Sequence, residues 1–273
     1  MRPGSVEGVK LREHMTETSP LDPLPQQVVL AYIDEPPFGR LGPDAKGTGC
    51  DVELARFVLR EIGIKDVVTH LTTFAELLPG VAAGRWALNV PLFVTPERAA
   101  MVSFSRPVWA LQDGFIVRAG NPKGLDSYDA LAAVEGARLG VVTGQVQHEA
   151  ALRAGVPSTR ISLFSTQEAV VQALVAGSID AYASTALGNR VFLRALNNPA
   201  LLAVDLVNSA SLPPATIPVG AFSFARENTA LRHRFDAYLA HYLGSPGHRE
   251  LMARHGLSAR EIDPIVGFEE RRP

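Results

Sequence analysis

Apolar runs and helical stripes alternate along this chain in a regular order. Val28 to Tyr32 is apolar throughout, as a strand buried on both faces is. Asp34 to Gly39 then reads as a loop fixed by two prolines, and Gly42 to Thr48 as an exposed hairpin or turn. Asp51 is placed to cap a helix from Val52 to Ile62, whose apolar stripe is Ala55, Val58, Leu59 and Ile62, with Gly63 as its stop. Val67 to Leu71 reads as a second strand. Thr73 and Glu76 have the spacing of a capping box for a helix ending near Gly84 and kinked at Pro79. The mostly apolar Trp86 to Val94 follows as a third strand. Strand and helix in strict alternation predict a parallel sheet with helices on its faces.

A similar pattern then starts again. Arg138 to Val142 reads as a strand, and Gly144 opens a helix to about Ala154. Ile161 to Phe164 is a strand, and Ser165 with Glu168 spells a second capping box for a helix from Thr166 to Gly177. Ile179 to Ala183 is the next strand. Val81 to Ala87 and Leu174 to Asp180 even share a helix–glycine–strand outline. Two successive α/β units imply two lobes. Val219 to Phe224 is a further strand. Asn228 starts a helix to Leu243 with Leu231, Phe235, Tyr238, Leu239 and Tyr242 on one face, and a last short helix ends before Gly256.

Composition narrows the class. The chain has 273 residues, 47% of them hydrophobic, enough to build two cores. Its net charge of −2 and lack of a basic patch point away from nucleic acid. Cys50 is the single cysteine, so no internal disulfide is possible. The seven histidines show no metal-ligand spacing, no cofactor motif is present, and neither a G-x-S-x-G elbow nor a phosphate loop occurs. His148 and Glu149 are a conceivable acid–base pair, read here as a helix-surface pair.

The stretch Phe93 to Pro107, FVTPERAAMVSFSRP, carries the sharpest chemistry. Thr95 suits a helix N-cap and Pro96 the first helical position. Arg98 is thereby fixed in a first turn at the end of a buried strand. A guanidinium held there can grip a carboxylate with two parallel hydrogen bonds. An apolar strand leading into Thr-x-x-Arg, then Phe-Ser-x-Pro, resembles the substrate-binding proteins of polar amino-acid ABC importers, solute-binding protein family 3. The resemblance spans roughly Val28 to Ile265. It implies a two-lobed α/β fold of the type II periplasmic-binding-protein kind, each lobe a mostly parallel sheet flanked by helices. On that plan residues 1–27 are a flexible N-terminal segment. Residues 28–110 with 219–273 form lobe 1, and 111–218 form lobe 2. The ligand cleft lies between the lobes, and two crossings near Ala110 to Gly114 and Ile217 to Gly220 form a hinge.

Ligands of open parallel sheets bind beyond the carboxyl ends of the strands. There the sequence puts Glu35 and Phe38, Phe74, Phe93 and Arg98, then Gly144, Gln147 and Thr185. One cation, one anion, three rings and neutral hydrogen-bonding groups suit a small zwitterion with a delocalised cationic part. Each ring facing such a cation contributes ~0.5–2 kcal/mol. Glu35-x-x-Phe38, Phe93 with Arg98, and Asp180 to Leu187 are similar to the ectoine- and 5-hydroxyectoine-binding branch of the family. That resemblance implies that Glu35 pairs with the ring amidinium, Arg98 holds the carboxylate, and Phe38, Phe93 and Phe74 pack on the ring. Gln147 stands where the branch carries a glutamate. Phe38 and Phe74 are equally readable as core, Glu35 as a solvated loop carboxylate, Gly144 as a turn residue and Thr185 as a helix cap.

The family further implies capture by lobe closure, a membrane permease as partner, a monomer and a periplasmic location. The polar Met1 to Gln27 holds no apolar core of the kind an export signal needs, which leaves a cytoplasmic location open. Two other readings remain at this point: a dehydratase on the same fold, and a cytoplasmic ligand-sensing module.

Overall fold

The computed structural model describes residues 23–206 and 217–266. The N-terminal stretch expected to be flexible lies outside the described residues as far as position 22. In the first part of the chain, β1 (Gln27–Tyr32) is followed by a small hairpin, β2 (Arg40–Leu41) and β3 (Gly47–Thr48). Then come α1 (Cys50–Glu61), β4 (Asp66–Leu71), α2 (Phe74–Ala82), β5 (Leu88–Phe93), α3 (Pro96–Ala99), β6 (Ser103–Phe104) and β7 (Trp109–Ala110). The middle part runs β8 (Asp113–Arg118), α4 (Tyr128–Ala133), β9 (Leu139–Val142), α5 (Gln147–Arg153), β10 (Ile161–Phe164), α6 (Gln167–Val175), β11 (Ala181–Thr185), α7 (Ala186–Leu196) and β12 (Leu201–Asp205). The last part holds β13 (Val219–Phe224), α8 (Thr229–Tyr242), α9 (Pro246–Ala253) and α10 (Ala259–Ile262).

Two sheets make the two lobes. The first has the order β4-β1-β5-β13-β6, with β7 also on β13. Its β4, β1 and β5 are parallel, and β13 enters antiparallel beside β5. The second has the order β10-β9-β11-β8-β12, with β8 antiparallel to both neighbours. Both sheets are covered on two faces, and the strands show it residue by residue. In β8, Phe115 and Val117 join one core while Ile116 joins the other, and Ala181, Ala183 and Tyr182 of β11 divide the same way. This is the period of two that a pleated strand imposes. In the first lobe, Leu30 and Tyr32 meet α1 and α8, while Ala31 and Leu92 meet Leu77 and Val81 of α2. The connections between lobes lie side by side, since the Leu111 N–H donates to the Pro218 carbonyl at 2.9 Å.

Several local expectations need correction. Gly49, not Asp51, precedes α1, because φ of 113° and the Phe38 carbonyl only 2.5 Å from a would-be Cβ admit only glycine there. Thr73 does precede α2, but its side chain makes no cap bond, and Glu76 pairs with Arg85 instead. The cap of α6 is Thr166, which accepts from the Ala169 N–H, rather than Ser165. Asn228 starts α8 without a side-chain cap. β11 begins two residues later than its apolar run suggests. Asp180 is held just before it by the Arg138 N–H at 2.9 Å and by Arg118 and Lys123. That shift puts Ser184 and Thr185 at the strand's cleft-facing end. β8, α4, α7, β12 and α10 carry no strong sequence pattern of their own and are additions.

Candidate functional site

The loop after β1 is built by its own main chain. The Glu35 N–H donates to the Gly39 carbonyl at 2.9 Å, and the Phe38 and Gly39 N–H groups return to the Glu35 carbonyl. The first turn of α1, whose N–H groups have no partner within the helix, ties this loop down: Cys50 N–H donates to Pro37 at 2.9 Å and Asp51 N–H to Phe38 at 3.1 Å. Glu35 and Phe38 are therefore presented by a rigid turn. Phe38 is buried and its ring meets Trp109 at 5.7 Å between centroids. Phe93, the last residue of β5, packs edge-on against the same indole at 5.3 Å.

Arg98 sits as its local sequence demands. Thr95 Oγ1 accepts from the Arg98 N–H at 3.3 Å, and Pro96 occupies the first turn. The side chain is only 8% exposed. Its Nη1 donates to the Phe93 carbonyl and its Nη2 to the Gly144 carbonyl, both at 2.9 Å. Its Cζ lies 5.6 Å from the Phe74 ring centre. Burial lowers its pKa to about 10, so it stays charged at neutral pH.

The second lobe meets these groups through the turn after β9 and the end of β11. Gly144 lies in that turn with φ of 89° and ahead of the helix it was expected to open; α5 starts at Gln147. A Cβ on Gly144 would come 3.0 Å from the Phe74 ring, so the turn needs glycine twice over. Gln145 Nε2 donates to Glu35 Oε1 at 3.0 Å, and Ser184 Oγ to the same oxygen at 3.4 Å. Glu35 is half-buried as a residue, but its carboxyl is enclosed. Burial raises its pKa to about 7 even though Ser184 and Gln145 pull it down. Gln147 is 2% exposed and donates to Asp113 Oδ1 at 2.7 Å, while the Tyr128 hydroxyl holds Oδ2 at 2.8 Å. Thr185 caps α7 by accepting from the Gly188 N–H at 3.1 Å and still borders the cleft, so its two readings are compatible.

Glu35, Phe38, Phe74, Phe93, Gln147 and Thr185 line one inner cavity of about 40 Å³. Arg98 and Gly144 border a wider neighbouring chamber with Thr95, Glu97, Glu149 and Arg153, and Gln145 and Val146 line both spaces. Sequence reasoning overlooked four polar or aromatic wall residues, Asp51, Trp109, Gln145 and Ser184. Asp51 was read as a helix cap, and Ser184 fell just past the end of a strand placed two residues early. Gln145 stood two positions before Gln147 in the same turn and was open to the same reading. His148 and Glu149 lie 3.8 Å apart with Glu149 exposed, as a helix-surface pair does. Among the described residues, no cluster of metal-ligating side chains occurs and no helix is long and apolar enough to cross a membrane.

Two α/β lobes with a polar and aromatic cleft fit a receptor for a small ligand, and comparison with known proteins gives the family. The model of the bacterial extracellular solute-binding proteins, family 3, matches residues 28–257, and the chain belongs to that family. It is 27% identical over 241 residues to the probable amino-acid ABC transporter periplasmic-binding protein y4tE of Sinorhizobium fredii, covering 87% of this chain and 79% of that protein. The crystal structure of EhuB in complex with hydroxyectoine matches with a TM-score of 0.78 at 28% identity, over 88% of this chain and 94% of EhuB. An ancestral arginine-binding protein bound to glutamine matches with a TM-score of 0.74 at 19% identity, over 85% of this chain and 99% of that one, which speaks to the fold alone.

Proposed function

We propose that this protein captures a small zwitterion, ectoine, hydroxyectoine or a related amino-acid derivative, by closing its lobes and presents it to an ABC permease. One observation carries the reading. Glu35 is an enclosed carboxyl with only neutral hydrogen-bond partners, walled by Phe38, Phe74 and Phe93. A flat cation lying against those rings supplies the missing charge, and the rings favour a delocalised one. Arg98, whose two bonds go to main-chain carbonyls, turns its fork to the ligand's carboxylate. Gly144, Gln147 and Thr185 complete the second wall. The bonds from Gln145 and Ser184 to Glu35, and from Arg98 to Gly144, all span the two lobes, so the groups that grip the ligand also register closure. EhuB, matched along most of both chains, supports the ligand class.

A melting-temperature screen with ectoine, hydroxyectoine, glycine betaine, proline and arginine tests this. A ligand at 100 times its Kd stabilises the folded form by about 2.7 kcal/mol, a readily measured shift. Ectoines are expected to give the largest shift, and a panel without any shift would discard the reading. Phe93→Ser is expected to weaken ectoine by about 5- to 30-fold, since it removes one ring face and loosens Trp109. Titration calorimetry checks this, and unchanged affinity would place that ring in the core alone.

A further inference from the structure

Asp51 is 0% exposed, yet its side chain forms part of the inner cavity wall. Oδ1 accepts from the Trp109 indole N–H at 3.1 Å and from the Cys50 thiol at 3.4 Å. Oδ2 is buried without a hydrogen-bond partner. The Gln145 amide oxygen, on the opposite lobe and in the same wall, is likewise buried and unpartnered. Buried acceptors left open cost stability, so a fold tolerates them where something comes to fill them. Both residues line a cavity that Glu35 also lines, and among the described residues no basic side chain lines it.

We infer that Asp51 is a second recognition carboxyl of this cavity: together with Glu35 it takes a cationic group bearing several N–H donors, an amidinium, a guanidinium or an ammonium. The role rests on the solute-binding reading above. It explains why the open acceptors lie on both lobes: a donor-rich cation meets Glu35 and Asp51 from the first lobe and Gln145 from the second. The rings of Phe38 and Phe93 keep water from competing.

Binding then moves a proton. Burial raises Asp51 to about 8, with Glu35 adding to the rise and the Trp109 and Cys50 bonds opposing it. Cys50 beside it on α1 and Glu35 across the cavity are the titratable groups that face it. Glu53 lies further along α1, and the walls from α2, β5, β7, the turn after β9 and the end of β11 present neutral side chains. When a cation enters, the Asp51 O–H bond breaks, Oδ2 keeps the electron pair and the proton passes to the buffer. Affinity for the cation therefore rises with pH up to about 8.

Acetamidinium chloride is the probe, with ectoine alongside it, measured by calorimetry at pH 6 and 8.5 in two buffers of different ionisation enthalpy. Wild type is expected to bind acetamidinium more tightly at the higher pH and to release protons. Asp51→Asn keeps an acceptor for Trp109 but turns N–H groups toward the cation, and is expected to weaken the probe by at least about tenfold and to release fewer protons, the remainder coming from Glu35. Trp109→Phe removes a hydrogen bond that favours the ionised Asp51, so its pH profile is expected to move to higher pH. Asp51→Asn binding and releasing protons as wild type does, or an unmoved Trp109→Phe profile, would overturn the role; so would no saturation by acetamidinium. Acetamidinium binding without ectoine binding removes the ectoine assignment and leaves Asp51 in place.

Discussion

Replacing Arg98 with alanine is expected to remove measurable binding of carboxylate solutes. The guanidinium is almost wholly buried, and its position is fixed by Thr95 and the Phe93 carbonyl. Truncating one partner of a buried, hydrogen-bonded charge pair costs about 2–5 kcal/mol, or roughly 30-fold to several-thousand-fold in affinity. Alanine also leaves the Gly144 carbonyl without the interlobe donor, which weakens closure itself. Lysine separates these contributions. Arg98→Lys keeps the charge but not the planar fork, so it is expected to retain part of the affinity. Calorimetry on wild type and both variants, with circular dichroism to verify the fold, provides the comparison. Affinity within a few fold of wild type in Arg98→Ala would place the ligand's carboxylate elsewhere.

That expectation could be drawn from the sequence because Arg98 is positioned by neighbours in the chain. A cap, a proline and a buried strand fix it within six residues, and local rules govern all three. The strand-and-helix alternation was legible for the same reason, since burial on two faces leaves an apolar run that needs no knowledge of partners. What local rules do not contain is distance between lobes. Glu35 and Gln145 are far apart in sequence, and nothing in either segment announces that their side chains meet at 3.0 Å. Asp51 is the clearest case. At a helix start an aspartate reads as a cap, but here Gly49 takes that position and Trp109 takes the carboxyl. The pull of a tertiary partner overrides the local preference. The capping box expected at Thr73 failed likewise, because Arg85 competes for Glu76.

Glu35→Gln is expected to move stability and binding in opposite directions, and the sign follows from the carboxyl's surroundings. Glu35 has a pKa near 4.5 when solvated and about 7 in the folded protein, chiefly through burial. Between those values the native state holds more protons than the unfolded chain, so stability falls as pH rises. The contribution is fully present below pH 4.5 and is lost as pH climbs through about 7. A shift of this size corresponds to on the order of 3 kcal/mol. Glutamine keeps an oxygen for Gln145 and Ser184 but never ionises, so the ligand-free variant is expected to be the more stable protein at pH 8 and no more stable at pH 4. Its slope does not vanish, because Asp51 still titrates. Removing the Glu35 charge lowers the Asp51 pKa, so the remaining slope shifts to lower pH. Binding runs the other way: without the carboxylate an amidinium loses its main partner, and affinity is expected to fall by about 2–5 kcal/mol at pH 8. Denaturant melts of both proteins from pH 4 to 8.5, paired with ectoine titrations, measure both halves. Parallel stability curves for the two proteins would mean that Glu35 is ionised and solvated in the fold. The site's strain would then lie elsewhere, since a carboxyl that costs stability when empty is one arranged to receive a charge.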